Sequence, residues 1–211
     1  MAGYSDYWAR KVLDQSTGKT SITLPSVWIG LYTAVPTDAG GGTEVTGGAY
    51  ARVSTAGTDW NAASGSAPAS TSNLNAFTFP TATANWGTVV AIGAFDAATV
   101  GNLLWWELLG NFDWKPFTCT SASPGVLTCP AHGYSNGDSV YVTAEYGGTL
   151  PTTAGSWTGP LTVAGVTTDT FTAGVNTTGT GNGQVRKVAT QSVPLGVTAS
   201  FAGGALVITG A

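Results

Sequence analysis

The apolar positions of this chain fall into short runs bounded by Gly, Pro, Asn and Asp, and few stretches repeat every three or four residues. Val27–Tyr32 is a continuous apolar run between Pro25 and Pro36, the pattern of a strand buried in a sandwich core. Phe77-Thr78-Phe79 alternates, Val89–Phe95 and Leu103–Trp106 read as two strands around a turn at 96–102, and Tyr50–Val53 is a shorter candidate. Val197–Phe201 and Ala205–Ile208 flank Ala202-Gly203-Gly204 and predict a closing hairpin. Helical spacing is convincing only at the start. Ser5 is a good N-cap, Asp6 sits in the first turn, Arg10 and Lys11 follow, and Gly18 is placed to stop the helix. Tyr4, Trp8 and Val12 recur every fourth residue and so share a face. Such a helix either caps a sheet or docks the protein to a neighbour, and Tyr4, Tyr7, Trp8 and Val12 are the interface candidates.

The texture changes over residues 111–187. Closely spaced turns separate strand candidates at 117–120, 126–129, 139–143, 161–163, 170–173 and 184–188, which describes a small β-barrel or sandwich. Its two ends must meet, so it reads as a module inserted into a surface connection. The expected fold is mainly β: a β-sandwich base domain, residues 1–110 plus 188–211, with a short N-terminal helix and the inserted β-module. Two long connections of the base, 37–49 and 59–75, are placed to drape over neighbours.

Composition sharpens this picture. Of 211 residues, 30 are Gly and 10 are Pro, which suits turn-rich β structure, while 7 basic and 11 acidic side chains leave a net charge of −4. No basic cluster exists to hold phosphate, which argues against nucleic acid and anionic membranes as partners. No run approaches the roughly 18 apolar residues of a membrane span, and the first ten residues lack a secretory pattern. A surface so poor in charge suits a subunit packed against its own copies or a partner.

Catalytic signals are weak. The lone histidine, His132, precedes a formal G-x-S-x-G match at Gly133–Gly137, but Asn136-Gly137-Asp138 leads straight into a strand, so a turn is expected there. The acids are spread singly, without a pair for glycoside hydrolysis or a calcium loop. Cys119 and Cys129 are symmetric about Pro124, so a hairpin turning there sets them opposite each other as a candidate disulfide, with two buried thiols as the alternative. Two Cys without a second pair cannot build a zinc site, and no cofactor is implied. Trp60, Trp86, Trp105, Trp106, Trp114 and Trp157 fill a core or stack on sugar rings.

Leu31–Val45 followed by Gly47–Arg52 resembles a family of small tailed-bacteriophage virion proteins, as do Phe79–Gly87, Gly93–Ala97, Gly101–Leu104 and Phe201–Leu206. Residues 131–140 with Thr168–Phe171 resemble a β-module recurrent in phage structural proteins, in which the His-Gly and Asn-Gly-Asp residues are turns. The resemblance implies a non-enzymatic virion structural protein on the particle exterior, assembled in the host cytoplasm. Lacking heptads and repeats, the chain suits a capsid decoration subunit first; a tail-fibre or minor tail protein is the alternative, and a carbohydrate-binding adhesin the third reading. Expected partners are the major capsid protein or tail proteins and further copies of the chain, a trimer among the states, with a host-surface glycan in the third reading.

Overall fold

The computed structural model describes residues 3–23, 26–65, 69–110, 113–144 and 147–209; the Pro25 boundary expected before the first long strand and the start of the expected insert at 111 lie outside them. The chain divides into two compact units, Ala2–Leu108 with Gln191–Ala211, and Leu109–Thr190. In chain order the elements are β1 (Gly3–Tyr4), α1 (Asp6–Ser16), β2 (Val27–Ala34), β3 (Thr43–Glu44), β4 (Val53–Thr55), β5 (Ser70–Ser72), β6 (Phe77–Thr81), β7 (Thr88–Val89), β8 (Ala91–Phe95) and β9 (Leu103–Leu108). They continue with β10 (Lys115–Cys119), β11 (Val126–Thr128), β12 (Ser139–Thr143), β13 (Leu161–Thr162), β14 (Thr170–Thr172), β15 (Gly181–Val188), β16 (Gln191–Ser192), β17 (Thr198–Phe201) and β18 (Val207–Thr209). The protein is thus mainly β, as its turn-rich sequence requires.

In the first unit β1-β9-β8-β2-β3 form one antiparallel sheet with β4 also paired to β2, and three two-stranded ladders, β16–β7, β17–β6 and β18–β5, complete the sandwich. Aromatic rings bind the layers: Trp60 lies 5.3 Å from Phe77 and 6.0 Å from Trp105, and Phe79 lies 6.2 Å from Phe201. Every residue of β8 is buried, which explains its unbroken apolar sequence. Gly30 and Gly93 face each other across β2 and β8. A Cβ on Gly93 would lie 2.7 Å from the Tyr32 ring and 2.8 Å from Leu103, so the bare backbone makes room for the stacked Tyr32 and Phe95.

Two expectations are corrected here. The run Val89–Phe95 is broken at Val90, whose N–H donates to the Tyr32 carbonyl at 2.8 Å, while Thr88–Val89 turns away to pair with Gln191–Ser192. Nor do β17 and β18 form a hairpin with each other. They pair with β6 and β5, because buried Asn73 takes up the backbone of the intervening turn: its Nδ2 donates to Ala202 O and its Oδ1 accepts from Leu206 N, both at 2.8 Å.

In the second unit the order β13-β12-β15-β10-β11-β14 curls until Ala164, just past β13, exchanges two hydrogen bonds with Thr172 of β14 at 2.9 and 2.8 Å. The resulting barrel is filled by Phe117, Leu127, Val140, Val163, Phe171 and Val185. Its ends meet, since Ala189 N donates to Leu109 O at 2.9 Å. The β10–β11 ladder pairs Thr118 with Thr128 and Cys119 with Leu127, so it is centred on Ser123 and not on Pro124. That one-residue shift of the turn offsets the two cysteines by two positions, and both are buried free thiols here, not partners face to face. Burial pushes both thiols above the usual cysteine range.

Candidate functional site

Among the described residues α1 is the one α-helix, and its anchoring is concentrated at its first turn. Ser5, 2% exposed, caps it by accepting from Trp8 N at 3.2 Å, donates its hydroxyl to Leu103 O, and donates its N–H to Leu104 O at 2.9 Å. Asp6 N donates to Asp38 O at 2.8 Å. The other end closes on a Schellman pair, with Gly18 at φ +72° donating to Gln15 O and Lys19 N donating to Asp14 O. Between these fixed ends no residue of the helix is buried.

The interface candidates occupy this element unevenly. Tyr4 belongs to β1, opposite Trp105, so the four-residue spacing joins Trp8 and Val12 on the helix but not Tyr4 to them. Tyr4 is 44% exposed; Tyr7, Trp8 and Val12 are half-buried, and Leu13, unremarked in the sequence, is 64% exposed. Open grooves flank α1 on both sides. One of about 540 Å³ is lined by Tyr7, Arg10, Asp38 and Asn102 among others, and one of about 240 Å³ by Tyr7, Trp8, Lys11 and Ile22. Lys11 adds its ammonium 5.7 Å from the Tyr7 ring.

Beside it on the sheet lies a charged cluster that sequence reasoning missed. Arg52 pairs with Glu44, Tyr50 donates to the same carboxylate at 2.9 Å and accepts from Leu31 N at 2.8 Å, and the guanidinium lies 3.3 Å from the Phe95 ring centre. Arg52 Nη1 also donates to Ala97 O and Val100 O, tying down the turn between β8 and β9. The available signal was a lone Glu and a lone Arg in a chain that uses charge sparingly.

In the second unit His132 and Ser135 each serve the local fold. His132 is 3% exposed, packs on Tyr134 and Phe171, and its Nδ1 accepts from Tyr134 N at 2.9 Å. Ser135 N donates to Asp138, which pairs with Lys187 at 2.7 Å, so the G-x-S-x-G match is a turn entering β12. Trp86, Trp105 and Trp106 are buried, and Trp157 packs on the barrel core with its Nε1 donating to Pro151 O at 3.0 Å. Among the described residues no group of three or more His, Cys, Asp or Glu side chains could hold a metal ion, and no helix is long and apolar enough to cross a membrane.

The chain is mainly β and its polar clusters serve the fold; its class, a phage virion structural protein, comes from a family match. The family model for podophage GP4 fibre I protein gp80 matches residues 3–112, and the chain belongs to that family of phage fibre structural proteins. Among curated proteins, none matches the chain. The family match ends within four residues of Leu109, where the second compact unit begins.

Proposed function

We propose that the protein is a non-enzymatic subunit of a podophage tail fibre, attached through the α1 region and carrying the Leu109–Thr190 barrel as an inserted, outward-facing module. The observation that carries this reading is the fibre-family match across residues 3–112. It favours the tail-fibre alternative over the capsid decoration role preferred from the lack of heptads and repeats in the sequence. The physical means is adhesion by area: few charges, half-buried aromatics at Tyr7 and Trp8, exposed Tyr4 and Leu13, and repetition of the contact by symmetry. The partners are then tail proteins and further copies of this chain on the particle exterior, after assembly in the host cytoplasm.

Immunogold labelling of purified particles with an antibody to this chain tests the proposal. Label confined to the tail, at a few copies per particle, is the expected result; label spread over the capsid shell at hundreds of copies would overturn it in favour of decoration. Glycan binding is the weaker reading, because Trp86, Trp105 and Trp106 are buried and Trp60 and Trp157 pack on the two cores.

A further inference from the structure

We propose that Asn136 is the site at which the folded chain deamidates, and that the segment 163–166 is the gate that sets the rate. The reaction concerns the barrel alone and takes place wherever the chain sits on a particle.

The chemistry needs no enzyme. The backbone nitrogen of the residue after an asparagine attacks the side-chain Cγ. Its hydrogen passes through solvent to the departing amide nitrogen, which leaves as ammonia, so one C–N bond forms as another breaks and a cyclic succinimide results. Water then opens the ring to aspartate or isoaspartate. A following glycine has no Cβ to hinder the attack, and the nitrogen and Cγ must come within about 3–3.5 Å. Asn-Gly occurs twice in the chain, at Asn136-Gly137 and Asn182-Gly183.

The barrel holds the two pairs differently. Asn182 lies in β15, an interior strand between β12 and β10, where it stands opposite Thr118. Its N–H donates to Thr149 O at 2.9 Å and its Oδ1 accepts from Thr149 N at 3.1 Å. Gly183 packs so closely on the Thr143 carbonyl that a Cβ has no room there. Cyclisation at this pair requires β15 to leave the sheet, which opens the whole barrel.

Asn136 is exposed in the turn that enters β12, and Gly137 stands at φ +90°. Both reacting groups are tied to one segment: Gly137 N donates to Val163 O at 2.8 Å, and Asn136 Oδ1 accepts from Val166 N at 3.2 Å. Closed, this arrangement occupies the attacking nitrogen and fixes the amide. The segment follows β13, a two-residue strand at the edge of the sheet whose ladder partner is β12, and it is held beyond by the Ala164–Thr172 bridge. Short edge elements open at lower free energy than interior strands, and one such opening frees nitrogen and amide together. Either product places a new carboxylate two residues from Asp138, which already pairs with Lys187 at 2.7 Å, and isoaspartate also lengthens the backbone of the turn.

The test is peptide mass mapping of the full chain, aged at mildly alkaline pH in buffer and in urea. In buffer, the amide of Asn136 is expected to convert to acid at least about tenfold faster than that of Asn182. In urea, where no gate remains, the two should convert at rates within about threefold of each other. Hydrogen exchange in buffer should release the Gly137 amide before the amides of β15. Val166→Pro removes the N–H that holds Asn136 Oδ1 and should speed conversion at Asn136 by about threefold to tenfold without changing Asn182. A folded Val166→Pro variant that converts at the wild-type rate would overturn the proposal. Independently of that variant, so would a wild-type chain in which Asn182 converts as fast as Asn136 in buffer, in which Asn136 converts only in urea, or in which the Gly137 amide exchanges only together with β15.

Discussion

Arg52 holds Glu44 with both prongs of its guanidinium, Nε to Oε1 and Nη2 to Oε2, each at 2.7 Å. With its side chain 7% exposed, Arg52 also closes the β8–β9 turn, so one residue joins β3, the core ring of Phe95 and a surface loop. Removing it leaves a half-buried carboxylate and two carbonyls without their donor. Arg52→Ala is expected to lower unfolding stability by about 3–5 kcal/mol in urea titrations. Arg52→Lys keeps the charge but not the planar fork, and should still cost more than about 1 kcal/mol. A loss below about 1 kcal/mol for the alanine variant would show that the cluster is peripheral to the fold.

The facing glycines of β2 and β8 define a second expectation. Gly93→Ala pushes a methyl group against Tyr32 and Leu103 in a sheet with no slack, and should destabilise by about 1–3 kcal/mol. Gly57→Ala, with nothing within 4 Å of the added carbon, is the control and should stay within about 0.5 kcal/mol. Equal melting temperatures for the two variants would refute the close-packing account of Gly93.

Much of this architecture is legible in the chain because buried strands announce themselves. Val27–Tyr32 and Leu103–Trp106 fall inside β2 and β9, and five of the barrel's six strands lie within two residues of their expected limits, since each is short and apolar on alternate positions. Polar strands are silent. Ser70–Ser72 forms β5 inside the long connection 59–75, where Ser and Thr give no period to read. Partner choice was also hidden, because pairing of β17 and β18 depends on Asn73, more than a hundred residues away along the chain. The helix start was readable from Ser5 as a cap, whereas Leu13 and Val100 were not, since exposure of a single apolar residue is invisible until its neighbours are placed.

Alkaline pH should unfold the protein through groups that burial holds protonated. Burial, with Glu44 adding repulsion, pushes Tyr32 up to about 12; Tyr50 and Tyr134 are likewise raised chiefly by burial, as are Cys119 and Cys129. Each pKa is higher folded than unfolded, so deprotonation favours the unfolded chain. Stability is therefore complete below the unfolded thiol and phenol values of about 8.5 and 10 and falls as pH rises past them. The urea midpoint should be level from neutrality to about pH 8 and decline steeply above about pH 10, with tyrosinate absorbance appearing together with the loss of near-ultraviolet dichroism. Tyrosinate that forms without unfolding would contradict the burial of these rings.

The meeting of Leu109 and Ala189 across one hydrogen bond of 2.9 Å allows the modular reading of the chain to be tested by excision. Because the barrel begins and ends at one place, an Asn-Gly turn in place of residues 110–188 can join Leu109 to Ala189 without stretching either flank. The barrel has its own core around Phe117, Leu127, Val140 and Phe171, and it closes through Ala164 and Thr172. The sandwich keeps its own aromatic layer around Trp60, Phe77 and Trp105. The shortened chain is therefore expected to stay soluble, unfold in one cooperative transition, and retain the near-ultraviolet signal of its buried tryptophans. A shortened chain without a cooperative transition would mean that the two units fold only together, and the barrel could not then be an added module.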